Sequence, residues 1–263
     1  MSRTVIISIE GNIGAGKSTL LFRLQQLSYR IKPHQTIEFV TEPVERWSVD
    51  FPHTSGVGKI TNNEGRRPEL FVDVESDNIL SHYYADPDKY AFPFQIMAYT
   101  TQTDELYKSI KKEPAIVLSE RSLESNHEIF TKMLHNEGKI DTIHYKIYCE
   151  NADTCRRLCP HPITTDAVIY LRTRPEVCAE RVQKRGRKGE DLITLDYLKN
   201  CHEYHDNWLG KMPAEQCLVL DANENILYLH LCEILDFMDG VAKRIQDSQV
   251  DVNEIRRADI FGW

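Results

Sequence analysis

The sequence predicts an α/β fold, with a doubly wound, five-stranded parallel sheet flanked by helices. Five short runs rich in β-branched and aliphatic residues alternate with longer segments of helical periodicity, which is typical of parallel sheets. The first run, TVIISI, is continuously apolar, as expected for a strand that is buried on both faces. It leads directly into a glycine-rich loop and then an amphipathic helix, the usual beginning of such a fold.

The predicted elements alternate along almost the whole chain. Strands are predicted at residues 4–9, 36–40, 115–120, 167–173 and 217–222. The first helix carries Leu20, Leu21, Leu24 and Leu27 on one face, and Pro33 ends that region. Further helices are predicted at residues 93–112, 123–137, 140–158, 175–184, 195–209 and 226–245. We predict one domain over residues 1–245, with a flexible polar excursion at about 48–68 and a tail at 246–263.

Composition narrows the classes of function. The chain has 263 residues and a formal net charge of -8, whereas a general nucleic-acid binder is usually basic. No apolar run is long enough to span a membrane, and no targeting segment precedes the first strand, so we expect a cytoplasmic protein. The 7 cysteines form no C-x-x-C pair, which favours reduced thiols over a zinc site or disulfides.

The loop after the first strand has the spacing G-x-x-x-x-G-K-S of a phosphate-binding loop. Glycines allow backbone N–H groups to turn toward an anion, and the following helix adds its positive N-terminus. Lys17 would reach the β- and γ-phosphates, and Ser18 would bind magnesium. This loop predicts a P-loop NTPase-type fold and a nucleotide site formed by Gly11, Asn12, Ile13, Gly14, Ala15, Gly16, Lys17, Ser18 and Thr19. The absence of N-K-x-D, and of D-x-x-G at a strand end, argues against a GTPase.

Two other predicted strands end in charged residues. The second is followed by Glu42 in TEPVERW, and the third ends at Glu120 and Arg121 in SERS. Ligands of parallel sheets bind at the carboxyl edge, so these side chains should face the phosphate loop. A simple cap or ion pair at a strand end remains an equal alternative for Glu42.

A basic cluster follows the fourth predicted strand. Arg181, Lys184, Arg185, Arg187 and Lys188 stand close together in an otherwise acidic chain, with glycines between them. Such an arginine-rich lid, at about residues 181–191, would place cations around a transferring phosphoryl group and exclude water. The alternative is a solvated run of charge.

Together, the motifs GNIGAGKST, EPVERW, FPFQIMAYTTQ, ERS and RVQKRGRKGE occur in the order found in the deoxyribonucleoside kinase family. The chain resembles this family, which includes deoxycytidine, deoxyguanosine and mitochondrial thymidine kinases, from about residue 4 to 245. The resemblance implies an ATP-dependent 5′-kinase for deoxyribonucleosides that uses Mg²⁺ and forms a homodimer. It does not imply binding to nucleic acid or membranes.

The resemblance also implies roles for the charged residues. Glu42 matches the general base that takes the proton of the nucleoside 5′-hydroxyl, and Arg121 matches the arginine that contacts this carboxylate and the phosphates. Glu120 matches the acid that helps Ser18 to hold magnesium, while Lys17 supports the transfer. The remaining ATP contacts implied are Arg181, Arg185, Arg187 and Asn225.

Other positions match the nucleoside pocket. Gln95 matches the carboxamide that pairs with the nucleobase edge, and Tyr84 and Glu190 match the pair that holds the sugar 3′-hydroxyl. Apolar walls are implied for Ile13, Val44, Trp47, Leu80, Phe94 and Phe130. Core packing is nearly as good an explanation for Leu80 and Phe130.

The sequence departs from the family at two positions. Where deoxycytidine and deoxyguanosine kinases pair an arginine with an aspartate, this chain has Gln102 and Asn126. A neutral pair lacks the ionic clamp, so we expect weak discrimination between bases and a broad or pyrimidine-leaning specificity. Two other functions compete: a thymidylate-type monophosphate kinase, which would need an arginine-lined acceptor pocket instead of Glu42, and a non-catalytic assembly subunit, which should have lost Lys17, Glu42 or the lid arginines.

Overall fold

The computed structural model describes residues 3–31, 36–48, 78–187, 189–224 and 228–261. Its five strands form one parallel sheet in the order β2-β3-β1-β4-β5, which confirms the predicted fold class. The strands are β1 (Val5–Gly11), β2 (Ile37–Val40), β3 (Ile116–Glu120), β4 (Ala167–Arg172) and β5 (Cys217–Asp221).

Helices cover both faces of this sheet. They are α1 (Lys17–Ile31), α2 (Ile79–Ala85), α3 (Pro87–Ile110), α4 (Leu123–Ser125), α5 (Lys132–Asn136), α6 (Thr142–Leu158), α7 (Pro175–Arg185), α8 (Leu195–Leu209) and α9 (Tyr228–Phe261). Two 3₁₀ turns, Val44–Trp47 and Glu190–Leu192, and one π-helical turn, Asn126–Thr131, complete the described elements.

The core is divided by the sheet, with β1 buried on both faces. Val5, Ile7 and Ile9 pack with apolar residues of α1, α7, α8 and α9. Ile6 packs on the opposite face, with the buried side chains of α3 and α6. Because strand side chains alternate, Glu10 continues the face of Ile6 and reaches the carboxyl edge of the sheet.

Three helical regions differ from the prediction. The helix expected at 93–112 begins instead at Pro87, because the Asp86 side chain caps it and Pro87 occupies its first turn. The helix expected at 123–137 is broken by the π-helical turn at Asn126–Thr131. The helix expected at 226–245 extends to Phe261, through most of the segment that the sequence suggested as a tail.

The strand order determines where a ligand can bind. Central β1 lies between β3 and β4, so the loop after β1 begins beside the ends of both neighbours. The ends of β2 and β3, with Glu42 and Glu120, lie on the same edge as this loop. In the described part of the chain, no helix combines the length and apolarity that a membrane span requires.

Candidate active site

The loop between β1 and α1 leaves an open space in front of the helix N-terminus. Gly16 has a φ of +101, and a Cβ added there would meet no atom within 4 Å. Gly14 serves packing instead, since its Cβ would lie 2.6 Å from the carbonyl oxygen of Cys178 in α7. The loop therefore offers backbone N–H groups and a positive helix end to an anion from one side, while α7 supports it from the other.

Lys17, the first residue of α1, is buried beside this loop. Its Nζ donates to the carbonyl oxygens of Gly11 at 3.2 Å and Asn12 at 3.0 Å. Burial and the nearby Arg121 lower the pKa of Lys17 to about 8, although surrounding carboxylates oppose the change. The lysine therefore keeps most of its charge at pH 7.

Ser18 and Glu120 are brought together, as predicted for a magnesium site. The Ser18 hydroxyl donates to Glu120 Oε1 at 2.8 Å, and burial raises the pKa of this carboxyl. No group of three or more His, Cys, Asp or Glu ligands occurs among the described residues. The two oxygen ligands still fit Mg²⁺, which usually takes one or two protein ligands together with phosphates and water.

Arg121 lies next to Glu42. Its Nε donates to Glu42 Oε1 at 3.2 Å, and one terminal nitrogen donates to the Gly11 carbonyl at 3.2 Å. The guanidinium also lies 4.6 Å above the ring of Phe130. Arg121 has a φ of +64, an unfavourable backbone conformation that is retained by its surroundings and that often occurs at functional sites. These contacts join the ends of β1, β2 and β3.

The predicted lid arginines have three different environments. Arg181 lies within α7 and donates to the carbonyl oxygens of Ala15, in the phosphate loop, and Asn223, after β5. Arg185 forms a bidentate ion pair with Glu190, with distances of 2.9 and 2.6 Å, and Arg187 approaches the same carboxylate at 3.6 Å. Arg181 therefore connects the predicted lid to the phosphate loop, and Glu190 connects Arg185 and Arg187 within the lid.

Tyr84 and Glu190, the two residues expected at the sugar 3′-hydroxyl, have different surroundings. The Glu190 carboxylate is engaged by Arg185, and the Tyr84 hydroxyl has no hydrogen-bond partner within the described residues. Burial raises the pKa of Tyr84, and the neighbouring Tyr83 and Glu190 raise it further. Tyr84 therefore stays protonated, near the Glu190 carboxylate and able to donate a hydrogen bond.

Aromatic rings form one wall beside this tyrosine. Trp47 and Phe94 meet edge to face at 5.2 Å, and the Trp47 indole N–H donates to the Thr101 hydroxyl at 3.1 Å. Tyr83 stacks on Phe94 at 5.1 Å. Among the other predicted wall residues, Val44 and Leu80 pack in the same cluster, Phe130 in one with α8, and Ile13 at the edge of the main core.

The three predicted amides do not behave as one group. Asn126 Nδ2 donates to Gln95 Oε1 at 3.0 Å, so these two carboxamides are joined. Gln102 instead donates to the Ser119 hydroxyl at 2.8 Å and forms no hydrogen bond with Asn126 among the described residues. Gln102 and Asn126 are therefore not joined in this structure, because Gln102 is held against the end of β3.

Some of the predicted residues lie outside the described part of the chain, and two buried residues near the site were not predicted. Asn225 and residues 49–68 of the polar excursion lie outside the described residues. Tyr148, whose hydroxyl donates to Asn126 Oδ1 at 2.5 Å, was not predicted because it occurs in no motif. Glu10, a buried carboxylate just before the glycine loop in the sequence IEGNIG, was not predicted either.

The phosphate loop, the strand order and the carboxylate–arginine pair define a P-loop nucleotide-binding protein equipped for phosphoryl transfer. Residues 7–246 match the family model described as deoxynucleoside kinase. The chain belongs to the deoxynucleoside kinase family and is thus a phosphotransferase.

Curated relatives support this assignment over most of the chain. Deoxycytidine kinase 2 of Gallus gallus is 33% identical and covers 83% of this chain and 82% of its own length. Deoxycytidine kinase of Homo sapiens is 31% identical, with coverages of 83% and 84%. The mitochondrial deoxyguanosine kinase of Xenopus laevis is 30% identical, with coverages of 90% and 84%.

Proposed function

We propose that this protein transfers the γ-phosphoryl group of ATP to the 5′-hydroxyl of a deoxyribonucleoside. The product is the 5′-monophosphate, as in nucleotide salvage. The observation that carries this proposal is the Glu42–Arg121 pair at the edge of the phosphate loop. A carboxylate there can accept the proton of an incoming hydroxyl, next to cations that stabilise the transferred group. The names of the deoxycytidine and deoxyguanosine kinase relatives favour a nucleoside acceptor.

In this proposal the charged residues divide the work. Glu42 acts as the general base, and Arg121 orients it and contacts the phosphates. Lys17 and the arginines of the lid neutralise charge that spreads over the phosphoryl oxygens in the transition state. Ser18 and Glu120 would hold Mg²⁺, which supplies further charge neutralisation when bound.

The nucleoside would lie between the aromatic wall and the amides. Tyr84, with its hydroxyl available for a ligand, would contact the deoxyribose, and Glu190 would complete the 3′-hydroxyl site. Gln95 would pair with the base, because a carboxamide presents a donor and an acceptor side by side. We propose a broad or pyrimidine-leaning specificity, because the uncharged Gln102 and Asn126 stand where the related kinases have an ionic pair.

The acceptor distinguishes this function from its nearest competitor. A thymidylate-type kinase binds an acceptor phosphate, which the negative charge of Glu42 would repel. A non-catalytic subunit is disfavoured because Lys17, Glu42 and the lid arginines are all present in sequence.

We also propose a homodimer that uses the outer face of α6. Ile143 and Leu158 are 74% and 77% exposed, and Ile147 is 48% exposed. The spacing of these apolar residues places them on one stripe of the helix, which a second copy would cover. Sedimentation equilibrium tests this proposal, and a monomer at micromolar concentration would contradict it.

The test of function is an ATP-dependent assay with four deoxyribonucleosides and their monophosphates. Glu42→Gln should lower kcat by about a hundredfold or more, the usual scale of acid–base catalysis, and leave nucleoside affinity nearly unchanged. Glu45→Gln, an exposed carboxylate on the adjacent 3₁₀ turn, is the matched control. Near-normal turnover by Glu42→Gln, or a preference for monophosphate acceptors, would contradict the proposal.

A further inference from the structure

A chain of hydrogen bonds connects the base pocket to a side chain of α6. The Tyr148 hydroxyl donates to Asn126 Oδ1 at 2.5 Å, and Asn126 Nδ2 donates to Gln95 Oε1 at 3.0 Å. Asn126 begins the π-helical turn, which gives its side chain access to both partners. The three residues come from α6, the π-helical turn and α3, so the chain crosses three separate elements.

The outer end of this chain is rigid. Tyr148 is fully buried, its ring lies parallel to that of His127 at 5.9 Å, and it meets Tyr99 edge to face at 5.7 Å. Burial raises the pKa of the Tyr148 phenol, so that it keeps its proton throughout the range in which the protein works. The tyrosine therefore keeps its single O–H in a fixed position, and in this structure it donates that proton to Asn126.

A fixed donor at one end determines the direction of every bond in the chain. Because Tyr148 donates, Asn126 must present its oxygen to the phenol and its nitrogen to Gln95. Gln95 must then present its oxygen to Asn126, which leaves Nε2 without a protein partner among the described residues. Turning the Gln95 amide over would place two N–H groups against each other, which is unfavourable in a buried site.

We propose that Tyr148 is a specificity-determining residue, which acts through Asn126 to fix the orientation of the Gln95 carboxamide. This inference rests on the proposed function, in which Gln95 pairs with the nucleobase. Cytosine presents an acceptor at N3 and a donor at its 4-amino group, and thymine presents the opposite order. A carboxamide that cannot rotate complements only one of these two edges in a given pose.

The consequence for the enzyme is stronger discrimination than two neutral amides would suggest by themselves. Weak discrimination would require that Gln95 and Asn126 both turn over freely when the base changes. Tyr148 removes that freedom without any charge, and Gln102 does not replace it, because its amide is bound to Ser119. The specificity is thus determined about one helix away from the surface that touches the base.

The experiment is to measure Kd for deoxycytidine and thymidine by calorimetry, without ATP, in the wild type and in Tyr148→Phe. The variant keeps the ring and removes only the donor. We expect the wild type to prefer one nucleoside by at least about tenfold and the variant to reduce this ratio by about tenfold. Asn126→Ala interrupts the same chain at a second point and should reduce the ratio equally, and it replaces Tyr148→Phe if that variant does not fold.

Tyr99→Phe is the matched control. Tyr99 is as buried as Tyr148 and packs against it, but its hydroxyl bonds to the backbone oxygen of Ala152 at 3.3 Å. This control should keep the wild-type ratio. A wild type with no preference, or a Tyr148→Phe variant that keeps the full preference, would overturn this inference and leave the proposed function standing. A wild type that binds no deoxyribonucleoside would overturn the proposed function and this inference with it.

Discussion

The phosphate half and the nucleoside half of the site are built in different ways. On the phosphate side, Lys17 and Ser18 begin α1, just after the glycine loop that follows β1, and Lys17 bonds to two backbone carbonyls where that loop begins. On the nucleoside side, Gln95, Asn126 and Tyr148 come from three elements and meet only through packing.

This difference suggests how each half responds to change. The phosphate half would contact the transferred phosphoryl group and not the base, so one substitution there should affect every acceptor alike. The nucleoside half depends on side chains that orient one another, so one substitution there should alter the choice among acceptors more than the rate with the best one. Two further substitutions test this separation, and a third tests the buried carboxylate at the end of β1.

The largest effect is expected for Lys17→Met. The variant keeps the buried stem and removes the cation next to the phosphates, so kcat should fall about 10²–10³-fold. The ratios of kcat/KM among deoxyribonucleosides should stay unchanged, because the lysine does not contact the acceptor base. Steady-state kinetics with four nucleosides measures both quantities. Lys111→Met, at the exposed end of α3, is the control, and altered ratios in Lys17→Met would show that the two halves are not separate.

An intermediate effect is expected for Tyr84→Phe. Losing a hydrogen bond to the sugar should lower kcat/KM about 5- to 150-fold, which corresponds to about 1–3 kcal/mol. The loss should disappear with a 3′-deoxynucleoside, which has no hydroxyl to bind. Tyr83→Phe is the matched control, because its hydroxyl bonds to Tyr197 at 3.1 Å instead of facing a ligand. An equal loss with and without the 3′-hydroxyl would assign Tyr84 to packing.

The smallest effect is expected for Glu10→Gln. Glu10 lies near the carboxyl end of β1. Burial raises the pKa of Glu10 above its ordinary value, although Ser122 and Arg121 lower it in part. The contribution of Glu10 to wild-type stability is then fully present below the unfolded-state pKa near 4.5 and is lost as the pH rises through the folded-state pKa. The variant has no proton to lose. Its gain in unfolding free energy over the wild type should thus be greater at pH 8 than at pH 5, by roughly 1–3 kcal/mol.

Urea denaturation at the two pH values measures this difference. Exposed Glu215→Gln should show no such dependence on pH. A Glu10→Gln variant that is less stable than the wild type at pH 8 would mean that the ionised carboxylate stabilises Arg121 more than its burial costs.

The fold could be predicted because its signals are local. The apolar run of β1, the glycine loop and the alternation of strands and helices are visible in the sequence and require no knowledge of tertiary contacts. The sheet order could not be predicted, since it depends on which strands pair across long separations. The π-helical turn was missed because its extra residue is accommodated by tertiary packing around Phe130 and leaves no periodic signal.

The site was predictable to a similar degree. Lys17, Ser18, Glu42, Glu120 and Arg121 were recognised from spacing and strand ends, and the structure brings them together. The partners of polar side chains were not predictable, because they depend on geometry at the scale of single bonds. The sequence did not indicate that Gln102 bonds to Ser119 or that Glu190 bonds to Arg185.

In the structure, both side chains form hydrogen bonds with neighbouring protein groups. Gln102 donates a hydrogen bond to the Ser119 hydroxyl, and the Glu190 carboxylate accepts one from Arg185. Neither hydrogen bond can be predicted from the sequence around these residues.

The position of β1 in the sheet has a consequence for biosynthesis. This strand is translated well before its partners, because Val5 pairs with Ile116 and Ile7 with Ala167. Because translation proceeds at about 5–20 residues per second, the apolar strand β1 remains unpaired in the nascent chain for seconds. We therefore expect co-translational folding to begin late and to depend on chaperones that shield this strand. Slower decoding before β4 would lengthen the exposure and increase aggregation.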